Sequence, residues 1–264
     1  MSAPTLDDVL DLLQEIAPLE LAAEWDNVGV LLRPSSDSAA VSKCMLTIDL
    51  TEAVIEEAKQ FGADLVVSYH PPIFKPLGRL DARDPTQRRV IAALTAGFVV
   101  YSPHTALDAS AGGLADWLIE GALGDDAPES LRACGDGDYG RVAELAKPMA
   151  FRTLLERLKQ LYGVAHLQVA KPAGMSSKVG SIAVAAGAGS GVLRGTCADV
   201  YVTGEMSHHD VLAAVADGVA VVLAGHSNTE RGFLRVLKKR LSSEFGKGLQ
   251  VRVAKGDRDP LVVV

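Results

Sequence analysis

The chain alternates short apolar, β-branched runs with amphipathic stretches of about ten residues. This rhythm is typical of an α/β protein with mixed, largely parallel sheets. The helices predicted from apolar residues at helical spacing are 5–17, 52–61, 88–96, 153–162, 207–216 and 229–241. The predicted buried strands are 43–49, 64–68, 98–102, 166–170, 181–185, 200–203, 219–224 and 250–254.

Some of these strands end at a histidine that is followed by turn residues. His70, His104 and His226 are three of the six histidines in the chain. Ligands of open α/β sheets gather at the carboxyl ends of the strands, so these imidazoles predict one shared site. Asp108 and Glu230 each follow a histidine by four residues, a spacing that puts both side chains on one helix face. Imidazole and carboxylate together suit zinc, manganese, iron or similar divalent metals.

Each pattern also has an ordinary structural interpretation. Glu230 could lie in a first helical turn only because the helix dipole favours an acid there, with His226 in the turn. His104, beside a proline, resembles a satisfied loop residue more than a ligand when it is taken alone. Two prolines after His70 fix the backbone and hold the ring in place. The coincidence of three such strand ends is what favours a metal site.

A glycine-rich loop, 187–191, lies between a predicted strand and a predicted helix. It could cradle an anion through its backbone amides, or it could be a tight turn that needs positive φ. The tight turn is the favoured interpretation. Val192 stands where the dinucleotide fingerprint needs its third glycine, and the chain has no P-loop motif.

Composition narrows the class of protein. A net charge of −7 and a pI near 5.4, with no basic block, argue against nucleic-acid binding. The three cysteines are scattered without a C-x-x-C pair, which argues against a disulfide framework and favours a reducing compartment. No apolar run approaches the roughly 18 residues needed to span a bilayer, and the N-terminus does not read as a signal peptide. We therefore expect a cytoplasmic protein with no membrane partner.

The segment 125–140 is acidic, rich in glycine and poor in bulky apolar residues. It predicts a junction between two similar α/β lobes. The first predicted lobe comprises 1–125 plus 225–264 and carries most of the candidate metal ligands. The second comprises 126–224.

A series of motifs, in this order, resembles the family catalogued as GTP cyclohydrolase I type 2 homologues, also called Ngg-interacting-factor-three-like proteins. The motifs are Trp25-Asp-Asn-Val-Gly29, Ser68-Tyr-His-Pro-Pro-Ile-Phe74, His104-Thr-Ala-Leu-Asp108, Thr203-Gly-Glu205 and Gly225-His-Ser-Asn-Thr-Glu230. The resemblance covers nearly the whole chain. It is specific for the family and far less specific for an activity.

The resemblance implies two related α/β lobes with a dinuclear metal site in the cleft between them. It also implies two divalent ions per subunit and assembly as a homohexamer, a trimer of dimers. Carried over by position, His70, Asp108, His226 and Glu230 match metal ligands, and Glu230 is expected to bridge the ions. His104 matches a histidine that lines the site, and we expect it to act in catalysis together with Glu230.

One position departs from many bacterial members, which have two consecutive histidines where this chain has Tyr69 and His70. Tyrosine at this place also occurs in other branches of the family. A neutral phenol is a poor metal ligand, so the departure bears on how fully the second metal position is occupied.

The activity implied is that of a metal-dependent hydrolase with a small-molecule substrate, a nucleotide or another small cyclic amidine. In a GTP cyclohydrolase, metal-activated water opens the purine ring and releases one carbon as formate. His104 or Tyr69 could relay protons, and the 187–191 loop or Ser190 could bind phosphate. The alternative is a metal-binding scaffold or regulatory ring whose ions are structural. Four ligands for two ions leave positions for water, which favours catalysis, because structural sites are usually closed by protein ligands.

Overall fold

The computed structural model describes residues 2–35 and 40–264. Its helices are α1 Leu6–Ile16, α2 Glu52–Phe61, α3 Pro85–Ala96, α4 His104–Ala109, α5 Leu114–Leu123, α6 Phe151–Tyr162, α7 Ser190–Leu193, α8 His208–Ala216, α9 Asn228–Arg231 and α10 Leu234–Phe245. Its strands are β1 Gly29–Leu32, β2 Lys43–Thr47, β3 Leu65–Ser68, β4 Val99–Ser102, β5 Pro128–Cys134, β6 Gly140–Ala150, β7 Gln168–Ala170, β8 Lys178–Ala185, β9 Val200–Thr203, β10 Ala220–Leu223 and β11 Gln250–Val253. In the part of the chain that is described, no helix has the length and apolar character needed to cross a membrane.

The chain forms two compact units, each with its own sheet. The first unit extends to Leu107 and resumes over 233–258, and the second covers 108–232 and 259–264. The predicted α/β class with two mixed sheets is confirmed.

The sheet of the first unit has the strand order β1-β4-β3-β2-β11. Its pairs are parallel except β1 with β4, which is antiparallel and closes one edge. Met45, Val66 and Val100 lie side by side on β2, β3 and β4, and all three are buried against α2 and α3. Burial on both faces explains why these strands read as continuous apolar runs in the sequence.

Backbone pairing continues a little past the carboxyl ends of these parallel strands. The N–H of Tyr69 donates to the carbonyl of Thr47, and the N–H of His70 donates to the carbonyl of Ile48. The hydroxyl of Ser68 donates to the carbonyl of His70 at 2.8 Å. These bonds hold the His70 backbone at the sheet edge, so the ring projects from a rigid position.

The sheet of the second unit has the order β5-β6-β8-β9-β10-β7. Only β8, β9 and β10 are mutually parallel, and the other pairs are antiparallel. This sheet is therefore mixed rather than largely parallel. The three parallel strands lie side by side, so the residues that follow them reach one edge of the sheet.

The predicted junction at 125–140 is instead a β-hairpin. Strand β5 pairs with β6 in antiparallel register, Cys134 opposite Gly140. The turn contains Gly135, Gly137 and Asp138 at positive φ. The acidic, glycine-rich composition thus reflects the φ values that this turn needs rather than a linker between lobes.

The bounds of the units also differ from those predicted. Helix α5 belongs to the second unit because it packs on α6, β6 and β8. The segment 225–232 belongs there too, because the Gly225 amide donates to the Gly204 carbonyl at the end of β9. Candidate ligands on this segment therefore belong to the second unit, and the first unit carries fewer of them than predicted.

The glycine-rich loop after β8 is a turn of closely packed backbone. The N–H of Gly187 donates to Thr229 Oγ1 at 2.9 Å, and the N–H of Gly189 donates to Thr203 Oγ1 at 3.0 Å. Both amides are engaged within the protein rather than presented to an anion. A Cβ on Gly189 would overlap the Thr203 hydroxyl and lie 2.8 Å from the Ala185 Cβ. This agrees with the tight-turn interpretation.

We expect Gly189→Ala to lower the free energy of unfolding by about 1–3 kcal/mol, because its methyl group has no room beside Thr203. The matched control is Gly191→Ala in the same loop, where an added Cβ meets nothing within 4 Å. That control should stay within about 0.5 kcal/mol of the parent chain. Urea denaturation followed by circular dichroism measures both, and equal losses would contradict the packing argument.

Candidate functional site

His104 begins α4 with an unusual backbone conformation. Its φ is +31°, in a region that non-glycine residues rarely adopt. Such a conformation costs of the order of 1–3 kcal/mol and persists only where the surroundings impose it. Here His104 Nδ1 lies 2.8 Å from Asp26 Oδ1, and the Thr105 hydroxyl donates to Asp26 Oδ2. The strained junction places the imidazole at the carboxyl end of β4.

The carboxyl group of Asp26 is ionised despite its burial. Burial acts to raise its pKa, but hydrogen bonds from His104, Thr105 and the backbone of Asn27 outweigh that effect. The net result is a pKa below the ordinary value of 3.8. An ionised carboxylate can only accept, so Nδ1 of His104 carries a proton and Nε2 presents the ring's lone pair.

Aromatic rings surround His104 in the first unit. The centroid of its ring is 5.5 Å from that of Tyr69, 5.4 Å from that of His70 and 6.4 Å from that of Phe74. Trp25 is 6.2 Å away and 63% exposed. Tyr69 is buried, so it packs beside the two histidines at the end of β3. The cluster supplies a partly apolar wall next to imidazoles.

His70 is oriented by a carboxylate of the neighbouring strand. Its Nδ1 lies 3.0 Å from Oδ1 of Asp49, which follows β2. Strands β2 and β3 are adjacent and parallel, so the residues just past their ends meet at one edge. The hydrogen bond again directs Nε2 outward from its carboxylate partner.

The second unit contains a matching arrangement at His226, after β10. Its Nδ1 lies 2.9 Å from Glu205 Oε1 at the end of β9, and its Nε2 lies 3.3 Å from Glu230 Oε1. Glu230 is 2% exposed, on the first turn after the histidine. Two donor atoms of different chemistry, an imidazole nitrogen and a carboxylate oxygen, thus converge within this unit.

Gly187 leaves room beside these donor atoms. A Cβ at this position would lie 2.7 Å from His226 Nε2 and 2.8 Å from Glu230 Oε1. Its φ of +54° also favours glycine. A side chain at position 187 would therefore collide with both donor atoms.

The predicted site residues are distributed over both units. His70, His104 and Tyr69 belong to the first unit, and His226 and Glu230 belong to the second. Asp108 is buried on α4 in the second unit, and its place in a ligand set stays a prediction.

Sequence reasoning did not assign roles to the carboxylates that hold these imidazoles: Asp26, Asp49 and Glu205. Two of them lie inside motifs that were recognised, Trp25–Gly29 and Thr203–Glu205. A signal was available for Asp49, because it is the last residue of a predicted strand and lies two residues before the helix cap Thr51.

Known proteins match this chain over nearly its whole length. The family model described as Duf34/NIF3 (NGG1p interacting factor 3) matches residues 4–260. The protein NIF3 homolog of Schizosaccharomyces pombe is 42% identical over 259 residues, 93% of each chain. NIF3-like protein 1 of Drosophila melanogaster is 38% identical and covers 100% of this chain and 90% of its own.

Solved structures share the fold. A Bacillus cereus protein related to NIF3 superposes with a TM-score of 0.84 at 19% identity, over 100% of both chains. Reduced HcgD from Methanocaldococcus jannaschii also gives a TM-score of 0.84, at 25% identity, over 97% of this chain and 99% of its own.

We expect Asp26→Asn to lower the free energy of unfolding at pH 7 by about 1.5–3 kcal/mol, the range for hydrogen bonds to a charged group. The pKa of Asp26 in the folded state lies below its ordinary value of 3.8. Its contribution to the free energy of unfolding is therefore complete above pH 3.8 and is lost as the pH falls through the folded-state pKa. The difference between variant and parent should therefore shrink in acid. Asp81→Asn, at an exposed ion pair with Arg83, is the control and should change the free energy less. A pH-independent difference for Asp26→Asn would contradict this assignment.

Proposed function

We propose that this chain, which belongs to the Duf34/NIF3 family, binds divalent metal ions and hydrolyses the ring of a purine nucleotide. The observation that carries the proposal is the pair of His226 Nε2 and Glu230 Oε1, 3.3 Å apart beside the space that Gly187 leaves. Assembly as a homohexamer belongs to the same proposal and rests on the resemblance alone. A cytoplasmic location is also part of the proposal and rests on the composition of the chain.

The donor set fits zinc, manganese or iron. Such ions accept imidazole nitrogen and carboxylate oxygen together. A ligating histidine commonly donates its other N–H to a carboxylate, which fixes the tautomer and makes the ligating nitrogen more basic. His226 with Glu205 and His70 with Asp49 both have this arrangement.

We propose that His226 and Glu230 are ligands and that His70 and Asp108 complete the set for two ions. When bound, the ions would lower the pKa of a coordinated water and polarise the group under attack. The support for His70 is its preoriented ring, and the support for Asp108 is its burial and its place in the recognised motif.

His104 is the proposed general acid–base. Asp26 holds the proton on Nδ1, so Nε2 can accept a proton from water or return one to a leaving nitrogen. The rings of Tyr69 and Phe74 pack on the same imidazole and reduce its contact with bulk water. Tyr69 is proposed to line the site rather than to ligate, because a neutral phenol is a poor metal ligand.

His226→Ala and Glu230→Gln should each reduce bound metal by at least about tenfold without unfolding the chain, because each removes a donor. Glu205→Gln changes only the partner of Nδ1 and should weaken metal binding by about 10- to 100-fold. Metal quantification after dialysis, with circular dichroism to monitor folding, measures these effects. His209→Ala, an exposed histidine of the same unit, is the control. Full metal content in His226→Ala would remove the basis of the proposal.

The activity itself is tested with a panel of purine nucleotides, measuring formate release by the metal-loaded chain. His104→Gln should lower the rate by about 10²- to 10⁴-fold while leaving metal content unchanged, as expected for loss of a general acid–base. If the loaded chain releases no product from any nucleotide, the metal-binding scaffold is the better description.

A further inference from the structure

A cavity of about 350 Å³ lies in the first unit, with His70 and Asp49 in its wall. This size falls within the range of small-molecule pockets. Two cationic side chains, Arg89 and Lys75, also line it, together with the ring of Phe74. We propose that this cavity binds the phosphate groups of a nucleotide, with Arg89 as the principal contact. The nature of the ligand rests on the proposed function, whereas the phosphate contact can be tested without it.

The cavity lining has an excess of positive charge, although the whole chain is acidic. The protein has a net charge of −7, whereas the lining contains two cationic side chains, Lys75 and Arg89, and one carboxylate, Asp49. That carboxylate already accepts a hydrogen bond from His70. A concave surface with an excess of positive charge concentrates anions.

Arg89 differs from its neighbour on α3 in a way that suits ligand binding. Its Nη2 donates to Thr86 Oγ1 at 3.3 Å, which steadies the guanidinium at the cavity wall. Arg88 is instead paired with Glu52 at 2.8 Å and bonds to the Ala82 carbonyl. Among the described residues, no carboxylate lies within ion-pair distance of Arg89. A guanidinium in this condition can bind phosphate through two parallel hydrogen bonds.

The amino terminus of α3 does not account for the site. Its cap, Asp84, accepts a hydrogen bond from the N–H of Gln87 at 2.9 Å, so a negative charge already occupies the end of the helix. The proposal therefore depends on the side chains of the cavity rather than on the helix dipole.

Phe74 extends from the cavity toward the catalytic histidine. The residue is 46% exposed, and the centroid of its ring is 5.9 Å from that of Trp25 and 6.4 Å from that of His104. Exposed aromatic faces of this kind stack on nucleobases. A nucleotide can thus place phosphate near Arg89 and its base on Phe74, with His70 at the cavity wall.

This location replaces the glycine-rich loop as the phosphate contact. The amides of Gly187 and Gly189 donate to threonine hydroxyls of their own unit. They are therefore not available to bind an anion, whereas the cations of the cavity are.

The experiment compares binding of guanosine, GMP and GTP to the full-length chain by calorimetry, with and without EDTA. The parent chain should bind GTP more tightly than guanosine in both conditions. Arg89→Gln should weaken GTP binding by about 10- to 100-fold and leave guanosine binding unchanged, since a charged hydrogen bond is lost. Arg88→Gln removes the same charge from the adjacent helix position and should leave both affinities as they are.

Two results would overturn the subsite: equal affinity of the parent chain for GTP and guanosine, or equal losses in Arg88→Gln and Arg89→Gln. The two proposals fail separately. If Arg89→Gln selectively loses GTP binding but no nucleotide yields formate, the phosphate site stands and the hydrolase proposal falls. If GTP is hydrolysed with the same KM by Arg89→Gln and the parent chain, the hydrolase proposal stands and the phosphate site falls.

Discussion

A hydrogen bond between a histidine and a carboxylate, formed where parallel strands end, is the interaction on which the proposed chemistry depends. It occurs at His70, His104 and His226, each time through Nδ1. The carboxylate fixes the tautomer, orients the ring and leaves Nε2 as the reactive nitrogen. At His70 and His226 the carboxylate follows the neighbouring parallel strand, whereas Asp26 precedes β1, which is antiparallel to the strand before His104. Both strand orders bring residues that are far apart in sequence to the same sheet edge.

The sequence predicted the elements that local patterns determine. Helix α2 spans 52–61 as predicted, because the Thr51 hydroxyl caps it and the left-handed Gly62 ends it, and both are short-range signals. The strands that end at the candidate histidines were found for a similar reason, since strands buried on both faces are continuous apolar runs. The family was recognised from ordered motifs, and the comparisons confirm it.

What the sequence could not reveal depends on contacts across long separations. His104 and Asp26 are 78 residues apart, and no local pattern connects them. The hairpin of β5 and β6 was missed because its turn has the composition of a linker, and only the pairing of its strands distinguishes the two. The predicted bounds of the units differ from the observed ones for the same reason. The residues of α5 do not by themselves indicate that this helix packs on the second sheet. The cationic cavity is likewise visible only after folding, when Arg89 of α3 comes to line it with Lys75.

The first unit is discontinuous in the chain, and this affects how the protein can be made. Its sheet is completed by β11, which pairs with β2 about two hundred residues earlier, while most of the second unit lies in the stretch between. During synthesis the ribosome therefore delivers the second sheet in full while the first still lacks an edge strand. Domains generally fold as units as they emerge. The sheet next to which His226 lies is thus complete in sequence before the sheet next to which His70 lies, because the first sheet still needs β11 as its edge strand.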